Sequence, residues 1–166
     1  MGDIKNLYDE EAIEKLKELV EHKICMLCTY EGEEIFSRPM GTQGVDEDGT
    51  IWFFSSKDSL KNMQVKSNAK VHLMYADTGN HSYLSLKGFA DIIKDEGKIK
   101  ELWNPMAKAW FEGGVNDPDI TLIRVMPDEG HYWNTKNGKL VSMLKIAAAA
   151  LTGSKMDGGI EGDIKM

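Results

Sequence analysis

Phe36-Ser37-Arg38-Pro39-Met40, followed a dozen residues later by Trp52-Phe53-Phe54-Ser55-Ser56-Lys57-Asp58-Ser59-Leu60-Lys61, is the stretch that decides the reading of this chain. The first piece puts an arginine on a strand. The second ends an aromatic strand in a cluster of hydroxyls and lysines. Arginine, lysines and hydroxyls converging at strand ends suit a phosphate dianion, because hydrogen bonds between charged partners are the strong ones. The aromatic run beside them offers flat apolar surface for a ring. Together they point to a phosphate-bearing aromatic cofactor rather than to bare phosphate.

Secondary structure spreads outward from this stretch. Ile13, Leu16, Leu19 and Val20 recur at helical spacing and predict a helix over residues 9–22, with Asp9 able to cap its start. Strands are expected at about 24–30, 34–43 and 50–55. Glu31-Gly32-Glu33 joins the first pair and Asp46-Glu47-Asp48-Gly49 the second, both as hairpin-like turns. The second turn resembles a calcium loop only in its acidity, since the remaining ligand spacing and the closing glutamate are missing. Asp58 or Ser59 starts a short helix running to about Val65. Strands resume at 69–76 and 81–94 around the turn Asp77-Thr78-Gly79-Asn80, with Gly88 marking a bulge or a close backbone approach. Lys98 to Lys108 reads as two short helices split at Asn104-Pro105. Residues 119–135 read as a long strand or hairpin broken near Pro127, and 140–151 as a last helix. Six or so short antiparallel strands with peripheral helices make a barrel the natural architecture, mainly β in an α+β arrangement. Residues 1–152 are read as one domain and 153–166 as a Gly-rich tail, loose or extended.

Composition narrows the partners. The chain has 166 residues, enough for one domain with its own core. A net charge of −7 argues against a nucleic-acid partner, which would demand a basic face. No stretch approaches the length of a membrane span, and Met1-Gly2-Asp3-Ile4-Lys5 lacks the apolar region of a signal peptide, so a cytoplasmic location is expected. Cys25 and Cys28 are spaced C-x-x-C within the apolar run Ile24 to Tyr30. On a strand, residues three apart point to opposite faces, so packing rather than redox or zinc chemistry is expected. His22, His72, His81 and His131 are scattered without metal spacing, and no metal site is expected. No catalytic residue stands out.

Five pieces in order now carry a resemblance: Ser37-Arg38-Pro39-Met40; Trp52-Phe53-Phe54-Ser55-Ser56-Lys57-Asp58-Ser59; Tyr83-Leu84-Ser85-Leu86-Lys87-Gly88-Phe89-Ala90; Leu102-Trp103-Asn104-Pro105 with Ala109-Trp110-Phe111; and His131-Tyr132-Trp133-Asn134. Over roughly residues 9–152 the chain resembles the pyridoxamine 5'-phosphate oxidase-like flavoproteins of the split-barrel fold, and among them the bacterial general stress proteins. The resemblance implies a six-stranded antiparallel split barrel that binds FMN at a homodimer interface. It implies that Arg38, Pro39 and Met40 line the isoalloxazine and phosphate side, with Gln43 further along the strand and Phe54 and Ser55 on the next. Lys61 falls where the family has a phosphate-binding lysine, and Lys57 is a second candidate. Tyr83 stands where the oxidases carry a flavin-contacting glutamine, and Trp133 matches a tryptophan that reaches the flavin from the second subunit. Trp103, Trp110 and Phe111 either cover the site's mouth or staple the short helices to the barrel.

Two departures bear on activity. Leu60 occupies the place of an arginine beside the phosphate-binding lysine. The oxidases' Arg-x-His-x-x-Arg-like run after the tryptophan is replaced by Asn134-Thr135-Lys136-Asn137-Gly138-Lys139-Leu140-Val141. The resemblance therefore implies an FMN-dependent oxidoreductase of a small molecule other than a vitamin B6 phosphate. A flavin binder with a sensing or stress role is the alternative, as is a split barrel that holds haem or a deazaflavin. FMN is expected over FAD, since one phosphate cluster is present and no glycine-rich pyrophosphate loop.

Overall fold

In the computed structural model, which describes residues 3–135 and 159–166, the chain is built on one long strand. This strand, β9 (Ile120–Thr135), is continuous through Pro127, where a break was expected. Its first half pairs antiparallel with both β6 (Ile51–Ser56) and β8 (Ser82–Ile93), and its second half with β8 and β10 (Gly159–Lys165). β7 (Lys70–Asp77), β3 (Ile24–Glu31) and β4 (Glu34–Gly41) continue the sheet outward from β8 as successive antiparallel neighbours. The short β5 (Gly44–Val45) pairs with β6, so the acidic turn closes a hairpin between β5 and β6 rather than between β4 and β6. The ladder does not close on itself. The outcome is the mainly β, split arrangement expected, with helices at its periphery.

The strands sort by face. Cys25, Leu27, Leu73, Tyr75, Leu84, Leu86 and Tyr132 alternate inward and meet Ile51, Phe53, Ile123 and Val125 in the main core. Helix α1 (Asp9–Val20) adds Ala12, Leu16, Leu19 and Val20 to that core. A second cluster lies on the other face of β6 and β9, where Trp52, Phe54, Ile120 and Leu122 pack against Ile99, Ala107 and Phe111. Two buried faces explain why Ile51-Trp52-Phe53-Phe54 reads as unbroken apolar sequence instead of alternating.

Local chemistry sets the boundaries. Asp9 does not cap α1; Tyr8 precedes the helix without a side-chain bond, and Asp9 itself has φ of 50°. The acidic first turn Asp9-Glu10-Glu11 still favours the positive end of the helix dipole. Ser59 caps α2 (Leu60–Ser67), its side chain accepting from the Asn62 N–H. Helix α3 (Glu96–Leu102) and a 3-10 turn (Pro105–Ala109) are separated at Asn104, as the proline required, and Asn104 caps that turn. Gly88 sits at the register shift of the β8–β9 ladder, facing Pro127.

The tail expected beyond residue 153 is structured in its last part. β10 lies between β9 and the short strands β1 (Asp3–Ile4) and β2 (Leu7–Tyr8), parallel to both of the latter. Ile164 is fully buried there, and a side chain at Gly162 would collide with the Lys5 carbonyl. Glycine lets two backbones approach closely, so the residues that made the tail look loose are those that let it pack. The helix expected at 140–151 lies outside the described residues.

Candidate functional site

Two cations with no carboxylate partner among the described residues mark the site. Arg38 stands on the core face of β4, the last strand of the sheet, opposite Leu27 of β3 and in contact with α2. Its Nη1 donates to the Thr29 hydroxyl at 2.8 Å and to the Leu27 carbonyl at 3.3 Å. Its Nη2 donates to Gln64 Oε1 at 2.9 Å. Thr29 in turn donates to the same oxygen at 2.6 Å. Lys61, one turn before Gln64 on α2, is half-buried. Burial holds its ammonium below the usual lysine value, and the charge of Arg38 pushes the same way. Burial likewise lowers the Arg38 guanidinium. Among the described residues no carboxylate forms an ion pair with either. Two adjacent cations, partly desolvated and unpaired among the described residues, are electrostatically suited to an anion.

Next to them the start of α2 is fixed by a buried polar network. Ser55 donates to Asn62 Oδ1 at 2.6 Å, and Asn62 Nδ2 donates to Thr121 Oγ1 at 2.9 Å. Thr121 closes the loop by donating to the Ser55 carbonyl at 2.8 Å. Asn62 is fully buried, so its satisfied amide locks the orientation of the first turn that carries Lys61.

Of the other expected residues, Met40 packs on the main core and Pro39 faces outward beside Met26. Gln43 accepts from Asn104 Nδ2 at 2.7 Å and so ties the end of β4 to the segment after α3. Phe54 points away from Arg38 into the second cluster, with ring centroids 5.9 Å from Trp103 and 6.2 Å from Phe111. Those two aromatics therefore staple the short helices, whereas Trp110 remains 74% exposed. Lys57 is exposed and engaged by Asp119 at 3.0 Å, away from the Arg38 cluster.

Tyr83 and Trp133 lie elsewhere. They are register partners on β8 and β9 and project from the sheet's outer face, opposite to that of Arg38, with β7 and β3 standing between β8 and β4. Ile24, Met26, Met74, Tyr83 and Trp133 together form an exposed apolar face, Ile24 at 69% and Trp133 at 42% exposure. The His131 ring lies tilted at 60° against Trp133 with centroids 4.6 Å apart, and its Nδ1 meets Asp163 at 2.8 Å. The fold thus brings together Arg38, Ser55 and Lys61 around α2, and leaves Tyr83 and Trp133 on a separate surface. Thr29, Asn62 and Gln64 were missed by sequence reading. Their only signal was the spacing of Gln64 one turn after Lys61, and their partners come from distant strands. Among the described residues no cluster of His, Cys, Asp and Glu could hold a metal, and no helix is long and apolar enough to cross a membrane.

Comparison with known proteins gives this geometry a setting. Residues 11–157 match the family described as Pyridoxamine 5'-phosphate oxidase like. A crystal structure of a general stress protein 26 from Jannaschia sp. CCS1 superposes with a TM-score of 0.77 at 28% identity, covering 93% of this chain and 96% of that one. A general stress FMN/FAD binding protein from Xanthomonas citri superposes at 0.64 with 30% identity, covering 74% and 87%. Protein bli-3 of Neurospora crassa is 24% identical over 146 residues, 81% of this chain and 70% of the relative.

Proposed function

The chain belongs to the pyridoxamine 5'-phosphate oxidase-like family, and from that premise we propose that it is a flavin-binding protein that holds FMN, as a homodimer, for redox chemistry on a small molecule. The observation that carries the reading is the Arg38–Lys61 pair, two partly buried cations lacking a carboxylate partner among the described residues. A phosphate monoester supplies the missing charge. A relative at 30% identity that is described as binding FMN or FAD supports a flavin as its bearer. FMN rather than FAD is the reading that one cationic cluster among the described residues supports. Released by heat from the purified protein, the chromophore is expected to run as FMN on chromatography; FAD, haem, a deazaflavin or a colourless protein would overturn the reading.

Bound flavin would supply the electron chemistry, and the chain's own part would be orientation and charge. Arg38 and Lys61 would hold the phosphate, and the α2 start, locked through Ser55 and Asn62, would fix its place. Two-chain assembly is supported by the separation of Trp133 from Arg38: one chain leaves them on opposite faces of the sheet, so a shared flavin needs a second copy to bring the tryptophan. The run Asn134 to Val141 lacks the arginines and histidine with which the oxidases hold a substrate phosphate, and carries only Lys136 and Lys139 as cations. Pyridoxine 5'-phosphate is therefore expected to be turned over far below the usual enzyme range of about 1 per second. Oxygen consumption with that substrate measures it, and turnover within that range would refute the expectation.

A further inference from the structure

Arg38 is held from behind by neutral oxygens where a carboxylate would ordinarily stand. Thr29 Oγ1 and Gln64 Oε1 are 2.6 Å apart, and each receives a different terminal nitrogen of the guanidinium, at 2.8 and 2.9 Å. Two acceptors at that spacing, met by Nη1 and Nη2 in parallel, reproduce the fork by which a carboxylate grips an arginine end-on. The Leu27 carbonyl takes the second Nη1 hydrogen. A guanidinium has five N–H donors. Three are thus committed, and the two that remain, Nε–H and the outer Nη2–H, lie along one side edge. No acceptor for that edge exists among the described residues. The edge is itself a bidentate fork that suits phosphate.

The charge matters as much as the shape. Thr29 is fully buried and Gln64 is 3% exposed, so the clamp is rigid and dry, yet it carries no charge. A carboxylate stands one side chain away: Gln64 Nε2 donates to Glu31 Oε2 at 3.4 Å, which turns the amide so that its oxygen faces Arg38. A glutamate at position 64 could still accept from Arg38 and Thr29, but it would lose the bond given to Glu31 and cancel the charge of Arg38.

We propose that Gln64, with Thr29, is a positioning residue: a neutral substitute for a carboxylate that aims the free Nε/Nη2 edge of Arg38 at a phosphate monoester and leaves the full charge of the guanidinium to the ligand. The proposal rests on the flavin-phosphate reading of this site. A purely structural role, tying β3, β4 and α2 together, makes a different forecast for Gln64→Glu: any change in affinity would fall equally on ligands with and without the phosphate.

The test compares FMN with riboflavin, which lacks the phosphate, by fluorescence titration of the deflavinated protein. In Gln64→Glu the dissociation constant for FMN is expected to rise at least about tenfold, the scale of one charge-assisted hydrogen bond, while that for riboflavin stays within about twofold. FMN binding by Gln64→Glu within about twofold of the unaltered chain would overturn the proposal. Gln64→Leu removes the acceptor without adding charge and serves if the glutamate variant does not fold. It is expected to lose FMN affinity selectively, and equal losses for both flavins would show that Gln64 is structural only. An unaltered chain that binds riboflavin as tightly as FMN would overturn the phosphate reading beneath the proposal, and the proposal with it.

Discussion

At the residue scale, the cations of the site divide by their company. Lys61 and Lys57, four positions apart, were the first and second phosphate candidates in the sequence; Asp119 engages Lys57, whereas among the described residues no carboxylate engages Lys61. Lys61→Ala is therefore expected to weaken FMN binding by about 1.5–3 kcal/mol, the range for a hydrogen bond to a charged group. Lys57→Ala, which breaks only an exposed pair, is expected to leave it almost unchanged. Equilibrium titration of both variants decides it, and equal losses would mean that the phosphate has been assigned to the wrong lysine. The cysteines make the complementary point. Cys25 pairs across with Met40 on the core face and Cys28 with Ser37 on the other, both are buried, and burial pushes the Cys25 thiol up to about 12. The C-x-x-C spacing was correctly legible as packing because strand geometry alone separates the two sulfurs.

At the scale of elements, the β8–β9 ladder is the longest pairing in the sheet and has one irregularity. Gly88 pairs with Pro127 and Lys87 with Glu129, leaving Asp128 as the extra residue of a bulge. Proline has no N–H for the ladder, so a bulge is the place where it is tolerated. A Cβ on Gly88 would lie 2.5 Å from the Met126 carbonyl oxygen. Gly88→Ala is accordingly expected to cost about 1–3 kcal/mol of stability through overpacking against backbone. Urea denaturation measures this, and an unchanged midpoint would show that the bulge relaxes freely. A bulge or close approach was legible from Gly88 alone; Pro127 read as a break in the strand, and the register showed that the two face each other. The expected cap at Asp9 failed for a local reason: the chain enters α1 directly from β2, so the residue that would cap the helix is already its first.

The whole molecule exposes an apolar face on the outside of its sheet. Ile24, Met26, Met74, Tyr83 and Trp133 lie on neighbouring strands, with Met26 opposite Met74 and Tyr83 opposite Trp133. A contiguous patch of this kind marks an interaction surface, and an isologous two-fold contact is the commonest way to bury it. Light scattering at micromolar concentration is expected to give a dimer. The double change Met26→Glu with Met74→Glu is expected to give a monomer that also loses flavin, although neither residue touches the Arg38 cluster. A flavin-retaining monomer would separate cofactor binding from assembly and refute the two-chain site.

What the sequence determined by itself is what neighbouring residues decide between them. The 3.6-residue stripe of α1, the extended runs of β7 and β8, a start of α2 at Asp58 or Ser59 and the cationic character of Arg38 and Lys61 all follow from patterns within one turn or one strand. The tertiary structure alone decided which polar groups meet. Gln64 reaches Arg38 from 26 positions away, and Tyr132 donates its hydroxyl to the Lys5 carbonyl across 127. It also placed β10, whose glycines and short apolar alternation give no local signal of a strand. Such contacts form only once the core has folded the sheet around them. The neutrality of the clamp behind Arg38, on which its readiness for an anion depends, is therefore a property of the assembled fold.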